Sequence, residues 1–171
     1  VKLHRMIIAI VLPSLWSANA TAATTTNTVT VNAATQSACQ FSTGNSNSEI
    51  NMSDYEAALA SGYSDSADSV GVSVFCNAGT SLTGRRIGGS AAATARGTAI
   101  TVPLTLDGTP GNPTLNTLVW YSPVSSNIQA NGPFKGAVRY PSNIFAGYPQ
   151  QAQFGAPTGF YTGTVDFTVE F

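Results

Sequence analysis

"GFYTGTVDFTVEF", Gly159 to Phe171, closes the sequence, and its reading decides the fold. Val165, Phe167, Val169 and Phe171 fall on one side of an extended chain. Thr164, Asp166, Thr168 and Glu170 fall on the other. Strict period-2 alternation is the pattern of a half-buried strand. Terminal segments fray unless something ties them down. A strand this apolar therefore needs a neighbour, and that neighbour can come from outside the chain.

The same period recurs upstream. "TVTVNAA", Thr28 to Ala34, puts Val29, Val31 and Ala33 on one face. "SVGVSVFC", Ser69 to Cys76, aligns Val70, Val72, Val74 and Cys76. "TAITVPLTL", Thr98 to Leu106, aligns Ile100, Val102, Leu104 and Leu106. Pro103 inside it has no N–H for a ladder, which predicts an edge strand or a bulge there. "TLNTLVWYS", Thr114 to Ser122, and the shorter "FKGAVRY", Phe134 to Tyr140, complete the set. Turn signals separate these runs: "LDGTPGNP" from Leu106, "ANGPF" from Ala130 and "GAPTGF" from Gly155. One stretch reads as helical, "SDYEAALASG" from Ser53 to Gly62, with Ser53 and Glu56 at capping-box spacing. "GGSAAATARG", Gly88 to Gly97, reads as a small-residue loop, and no 20–50-residue repeat is present. About six or seven short strands predict an all-β protein, a β-sandwich. Open sandwiches have edges, and edges invite pairing.

The first residues read as an export leader, 1–22. Lys2 and Arg5 form a basic start, "MIIAIVLPSLW" is apolar over Met6 to Trp16, and "ANATAA" offers cleavage after Ala20 or, preferably, Ala22. That apolar run is too short for a bilayer span and Pro13 interrupts it. No later run is long enough either, so no stable membrane insertion is expected. Without the leader the chain loses its sole histidine, His4. It keeps five basic residues, Arg85, Arg86, Arg96, Lys135 and Arg139, against eight acidic ones, a formal net charge of −3. No basic patch for nucleic acid follows from that balance.

Cys39 and Cys76 are the two cysteines. In an oxidising compartment they read as one disulfide, closing a loop of about 40 residues with a chain-entropy gain of roughly 3–4 kcal/mol. Two free thiols or a metal pair are the alternatives. With no histidine left and no CxxC, the metal reading is the weaker.

The chemistry of an enzyme is thin. Nucleophilic catalysis needs a base near neutral pKa, and no histidine remains to supply one. Asp54 with Glu56, or Asp65 with Asp68, are the carboxylate pairs closest in sequence, in polar turn-like stretches that read as solvated loop charge. Arg85 and Arg86 could grip a phosphate or carboxylate, or be plain surface charge. Trp120, Tyr121, Tyr140, Tyr148, Phe160 and Tyr161 could stack on a sugar, though aromatics in strands more often fill cores. No cofactor and no metal is implied.

The layout resembles the spore coat protein U domain family, which includes major subunits of archaic chaperone–usher pili. The resemblance rests on three stretches. These are "VTVNA" leading to "SACQF", the second-cysteine strand "SVFCNAG", and the closing "GFYTGTVDFTVEF". It implies an immunoglobulin-like sandwich lacking its last strand, with a body over 36–171 and a donor segment over 23–35 that merges into the first strand. Val29, Val31 and Ala33 would be the donor residues. Val165, Phe167, Val169 and Phe171 would flank the acceptor groove. The implied partners are other copies of the chain, a periplasmic chaperone and an outer-membrane usher, at the cell surface. Physically this is strand addition to an exposed edge, head to tail. The reading from a different class is a monomeric secreted carbohydrate-binding module with its N-terminal strand paired in its own chain.

Overall fold

Alternation in the sequence becomes one large antiparallel sheet with a short ribbon across it. The computed structural model describes residues 30–42, 48–64 and 67–171. Nine strands occur among them: β1 Cys39–Phe41, β2 Asp68–Cys76, β3 Gly84–Ile87, β4 Ile100–Leu106, β5 Thr114–Pro123, β6 Asn127–Ile128, β7 Val138–Gly147, β8 Tyr161–Thr162 and β9 Phe167–Glu170. The large sheet runs β1-β2-β7-β5-β4-β8, with β6 pairing to β7 off that path. β3 and β9 form a separate two-stranded sheet. The protein is all-β, and its helical content among the described residues is two 3-10 segments, Ala57–Ser64 and Arg96–Thr98.

The inner face of the large sheet follows from register. Val70 stands opposite Ile144, Tyr121 opposite Ile144, Val119 opposite Ala146 and Ile100 opposite Val119. Directly opposed residues share a face. Val72, Val102, Val119, Tyr121, Ile144 and Ala146 accordingly form one buried cluster. Ile87 from β3 closes it, and Phe167 from β9 packs against it. Two layers share this core, and each large side chain in it contributes roughly 1.5–3 kcal/mol of burial. On the opposite face Trp120 stacks on Phe145 at 5.4 Å, with the Arg96 guanidinium 5.6 Å above the indole.

The disulfide bonds Cys39 to Cys76, which are direct partners in the β1–β2 register. The N–H of Asn77 donates to the carbonyl of Ala38 at 3.0 Å and that of Ser42 to Ser73 at 3.0 Å. Cys39 and Cys76 therefore occupy a non-hydrogen-bonded pair, where side chains of an antiparallel ladder come closest.

Pro103 sits where the sequence places it. The N–H of Leu106 donates to the carbonyl of Pro113, so Leu106, Leu104 and Val102 direct their backbone groups at β5. Pro103 points its missing N–H the other way, toward the side where β8 pairs only with Thr105 and Leu106. An edge position is the place a sheet tolerates proline.

Three expectations change. Ser53 to Gly62 is not an α-helix with a capping box: the 3-10 helix begins at Ala57, Leu59 donates to the carbonyl of Glu56, and the N–H of Ser53 goes to the Asp68 carboxylate at 3.1 Å. A tertiary carboxylate thus takes the backbone donor that the box would have used. The strand expected over Phe134 to Tyr140 starts at Val138 and runs to Gly147. Pro141 lies within it opposite Ser73, while Ser142 is buried. The alternating stretch at the start behaves differently again. The chain divides into Val1–Ala34 and Thr35–Phe171. Thr30 to Ala34 form no strand and are exposed, while Thr28 and Val29 lie outside the described residues. Periodicity marks a segment that can pair; the ladder itself needs a partner.

Candidate functional site: an open strand edge

The β3–β9 ribbon has two edges, and they are treated differently. Register pairs Ile87 with Phe167, Arg86 with Thr168, Arg85 with Val169 and Gly84 with Glu170. The N–H of Gly88 donates to the carbonyl of Asp166 at 2.9 Å. Backbone groups alternate sides along a strand. Asp166, Thr168 and Glu170 therefore face β3, while Phe167 and Val169 present their N–H and C=O on the far side of β9. No strand among the described residues pairs there.

The far edge of β3 is closed. Ile87 and Ser90 exchange both backbone hydrogen bonds, at 3.0 and 2.8 Å, across Gly88 (φ 51°) and Gly89 (φ 81°). A two-residue turn with both central residues at positive φ needs glycine or a close substitute. A Cβ on Gly88 would also fall 2.4 Å from Ile100 Cδ1. The Tyr121 hydroxyl lies 3.0 Å from the carbonyl of Arg85 and 2.9 Å from that of Ala91, and donates its single proton between them. Along this edge the Arg85 carbonyl and both backbone groups of Ile87 thus have partners within the fold.

Tyr121→Phe keeps the ring and removes that donor. The expected loss is about 1–3 kcal/mol, the penalty of leaving buried carbonyls unmatched. Urea unfolding reads it directly; a midpoint equal to the native one would mean the two carbonyls find water at no cost.

The open edge of β9 faces the β1 side. β3 lies over β5 through the Tyr121 bond. On β9, Phe167 meets Tyr121 at 5.7 Å and Phe41 of β1 at 6.3 Å, both edge-to-face. Ser53 donates its N–H to Asp68 at the start of β2, and Ile50 and Met52 pack on the same core without belonging to a strand.

The residues singled out in the sequence distribute as follows. Phe167 and Val169 are half-buried on β9. Val165, just before the strand, packs against the core, and Phe171, just after it, is 55% exposed. Val31 is 85% exposed and Ala33 is exposed; Val29 lies outside the described residues. Trp120 and Tyr121 do not share a stacking platform: adjacent on β5, they face opposite sides of the sheet and both are buried, as is Tyr148. Of the six aromatics only Phe160 is largely exposed, at 71%. Asp54 and Glu56 are exposed, Asp68 accepts from Ser53, and Asp65 lies outside the described residues.

Sequence reasoning missed β3. Gly84–Ile87 is only four residues long and carries two adjacent arginines, which read as surface charge. Arg86 does face outward, where its Nε donates to Glu170 at 2.6 Å. That carboxylate holds the Arg86 pKa above its ordinary value, by hydrogen bond and charge. Both side chains are about half exposed, so the pair adds little stability. Ile87, the strand's fully buried residue, was the available signal.

These features define a class: an all-β domain stapled by one disulfide, in which the far edge of β9 pairs with no strand among the described residues. Among the described residues no helix is long and apolar enough to cross a membrane. No family model, no curated protein and no solved structure matches the chain.

Proposed function

We propose that this chain is a structural subunit of a surface fibre or coat, polymerising by strand exchange. The edge of β9 accepts an extended segment from a second copy, and the segment around Val29, Val31 and Ala33 is the donor. In this reading the body is an immunoglobulin-like sandwich short of one strand. A chaperone fills the edge after export through the leader at 1–22, and an outer-membrane usher replaces the chaperone strand with the next subunit. The fibre would serve attachment of cells to surfaces and to one another.

The observation carrying the proposal is the asymmetry of the ribbon. β3 is closed by Tyr121 and Ser90, while β9 offers the backbone groups of Phe167 and Val169 to an incoming strand. A strand added there gains ladder hydrogen bonds, and its alternate side chains would face the core on the β1 side. One acceptor edge and one donor segment per chain make a head-to-tail, non-closing contact, which builds fibres.

Surface material sheared from expressing cells and run unheated and boiled on SDS gels tests this. A ladder that collapses to monomer on boiling is expected, because interlocked strands dissociate slowly. Val31→Asp places a charge in the donor's apolar face and is expected to abolish the ladder while monomer still reaches the periplasm. Normal ladders from that variant would remove Val31 from the donor role. A single monomer band in both lanes, with free protein outside the cell, would favour a monomeric binding module instead.

A further inference from the structure

We propose that the cavity at the closed edge of the β3–β9 ribbon is a binding site for a small carboxylic acid, held through the guanidinium of Arg85. The site lies on the opposite side of the ribbon from the β9 edge and does not depend on the strand-exchange reading.

Alternation along β3 sends Arg86 outward and Arg85 inward, on the same side as Ile87. Arg86 finds Glu170. Arg85 does not: its Nε is buried and has no hydrogen-bond partner among the described residues. A guanidinium cannot shed its proton to relieve this, so a buried N–H on it stays a donor in search of an acceptor. Burying a donor without an acceptor is costly, and a native fold that does so invites an explanation by a ligand.

Arg85 also lines an open cleft beside β3. A cavity of about 370 Å³ is lined by Leu82, Arg85, Arg86, Tyr121, Pro123 and Glu170, among others. That lies at the small end of ligand sites. Its lining carries two positive charges and one negative. Glu170 is engaged by Arg86, so one positive charge remains for a monoanion. The planar fork of arginine matches a carboxylate in two parallel hydrogen bonds, which a spherical anion cannot reproduce. Leu82, Pro123 and the ring of Tyr121 would take the apolar remainder of the molecule. The Tyr121 hydroxyl is committed to two backbone carbonyls, which fixes the wall of the site.

Acetate titrated into the full chain, at constant ionic strength set with chloride, tests the proposal. The signal of the Arg85 Nε–H in nitrogen–proton correlation spectra is the readout. A saturable shift in the millimolar range is expected for acetate and none for chloride. Arg86→Met leaves the Glu170 carboxylate uncompensated in the lining and is expected to weaken that response. Arg85→Lys keeps the charge but not the fork, and is expected to weaken acetate at least tenfold, read from the Tyr121 and Ala91 signals. Thermal melts with and without acetate give a second readout if the Arg85 signal is broadened. A response as large with chloride, no saturable response to acetate, or an Arg85→Lys protein that binds acetate as the native one does, would each overturn the site.

Discussion

Val169→Pro is expected to give a folded, monomeric protein that polymerises poorly, while Thr168→Pro is expected to damage the body itself. Both changes remove one N–H from the same short strand. The difference is direction. Thr168 faces β3, opposite Arg86, so proline there breaks a ladder bond and strands an acceptor on β3, a loss of about 1–3 kcal/mol. Val169 turns its N–H to the open edge, where proline is compatible with a strand. If an incoming strand uses that edge, it loses a hydrogen bond and meets the ring. A penalty of roughly 1–3 kcal/mol weakens the contact about five- to 150-fold. Chemical denaturation of the monomer and the SDS ladder separate the two outcomes. If Val169→Pro forms ladders as the native chain does, polymerisation runs through some other surface. If both variants unfold equally, the assignment of sides is wrong.

Replacing Cys39 and Cys76 together by alanine is expected to cost about 2–5 kcal/mol, the usual loss when a native disulfide is removed from a small domain. For a domain of this length that is a fall in melting temperature on the order of 10 °C. The loss should begin locally. β1 is three residues long, lies at the sheet edge and pairs only with β2, so the disulfide is its main anchor. Phe41 rides on β1 and reaches Phe167 across the layers. Hydrogen exchange should therefore accelerate first at Ser42 and Asn77, whose N–H groups tie β1 to β2, before the β2–β7 ladder opens. A double variant melting with the native protein, or one that opens everywhere at once, would show that β1 is held by packing alone. Because β1 borders the open side of β9, the same variant should also polymerise less well under the strand-exchange proposal.

The two expected results share a cause. A short strand is held by few contacts, so each one matters, and its edge stays available. Closing both edges of the ribbon would need a further strand on β9, and none of the described residues provides it.

Much of the architecture was legible from residue type and spacing. Alternation at Val70–Cys76, Ile100–Leu106 and Thr114–Ser122 marks β2, β4 and β5 to within a residue or two, because side-chain period follows from backbone geometry. The missing N–H of Pro103 predicted an edge, and Pro103 points away from β5. The terminal stripe located β9, shortened to Phe167–Glu170. The all-β class, the cysteine pair and the apolar face of the last strand were thus available from sequence alone.

Partners were not. The sequence assigns Val31 a strand-like face, yet it does not say against what; a ladder is a property of two segments, and Thr30 to Ala34 join none in this chain. Gly84–Ile87 is too short for periodicity to reveal, and it becomes a strand because β9 lies beside it. Pro141 breaks the local pattern of β7, but register with β2 and β5 carries the strand through it to Gly147. Arg85 and Arg86 are chemically identical neighbours. Only the tertiary structure turns one outward to Glu170 and the other inward, unpaired, because a strand sends successive side chains to opposite faces and the core lies on one of them. The same rule leaves one edge of β9 open while Tyr121, 36 residues from Arg85, helps close the far edge of β3. Local chemistry selects strands; long-range pairing decides which edges remain free.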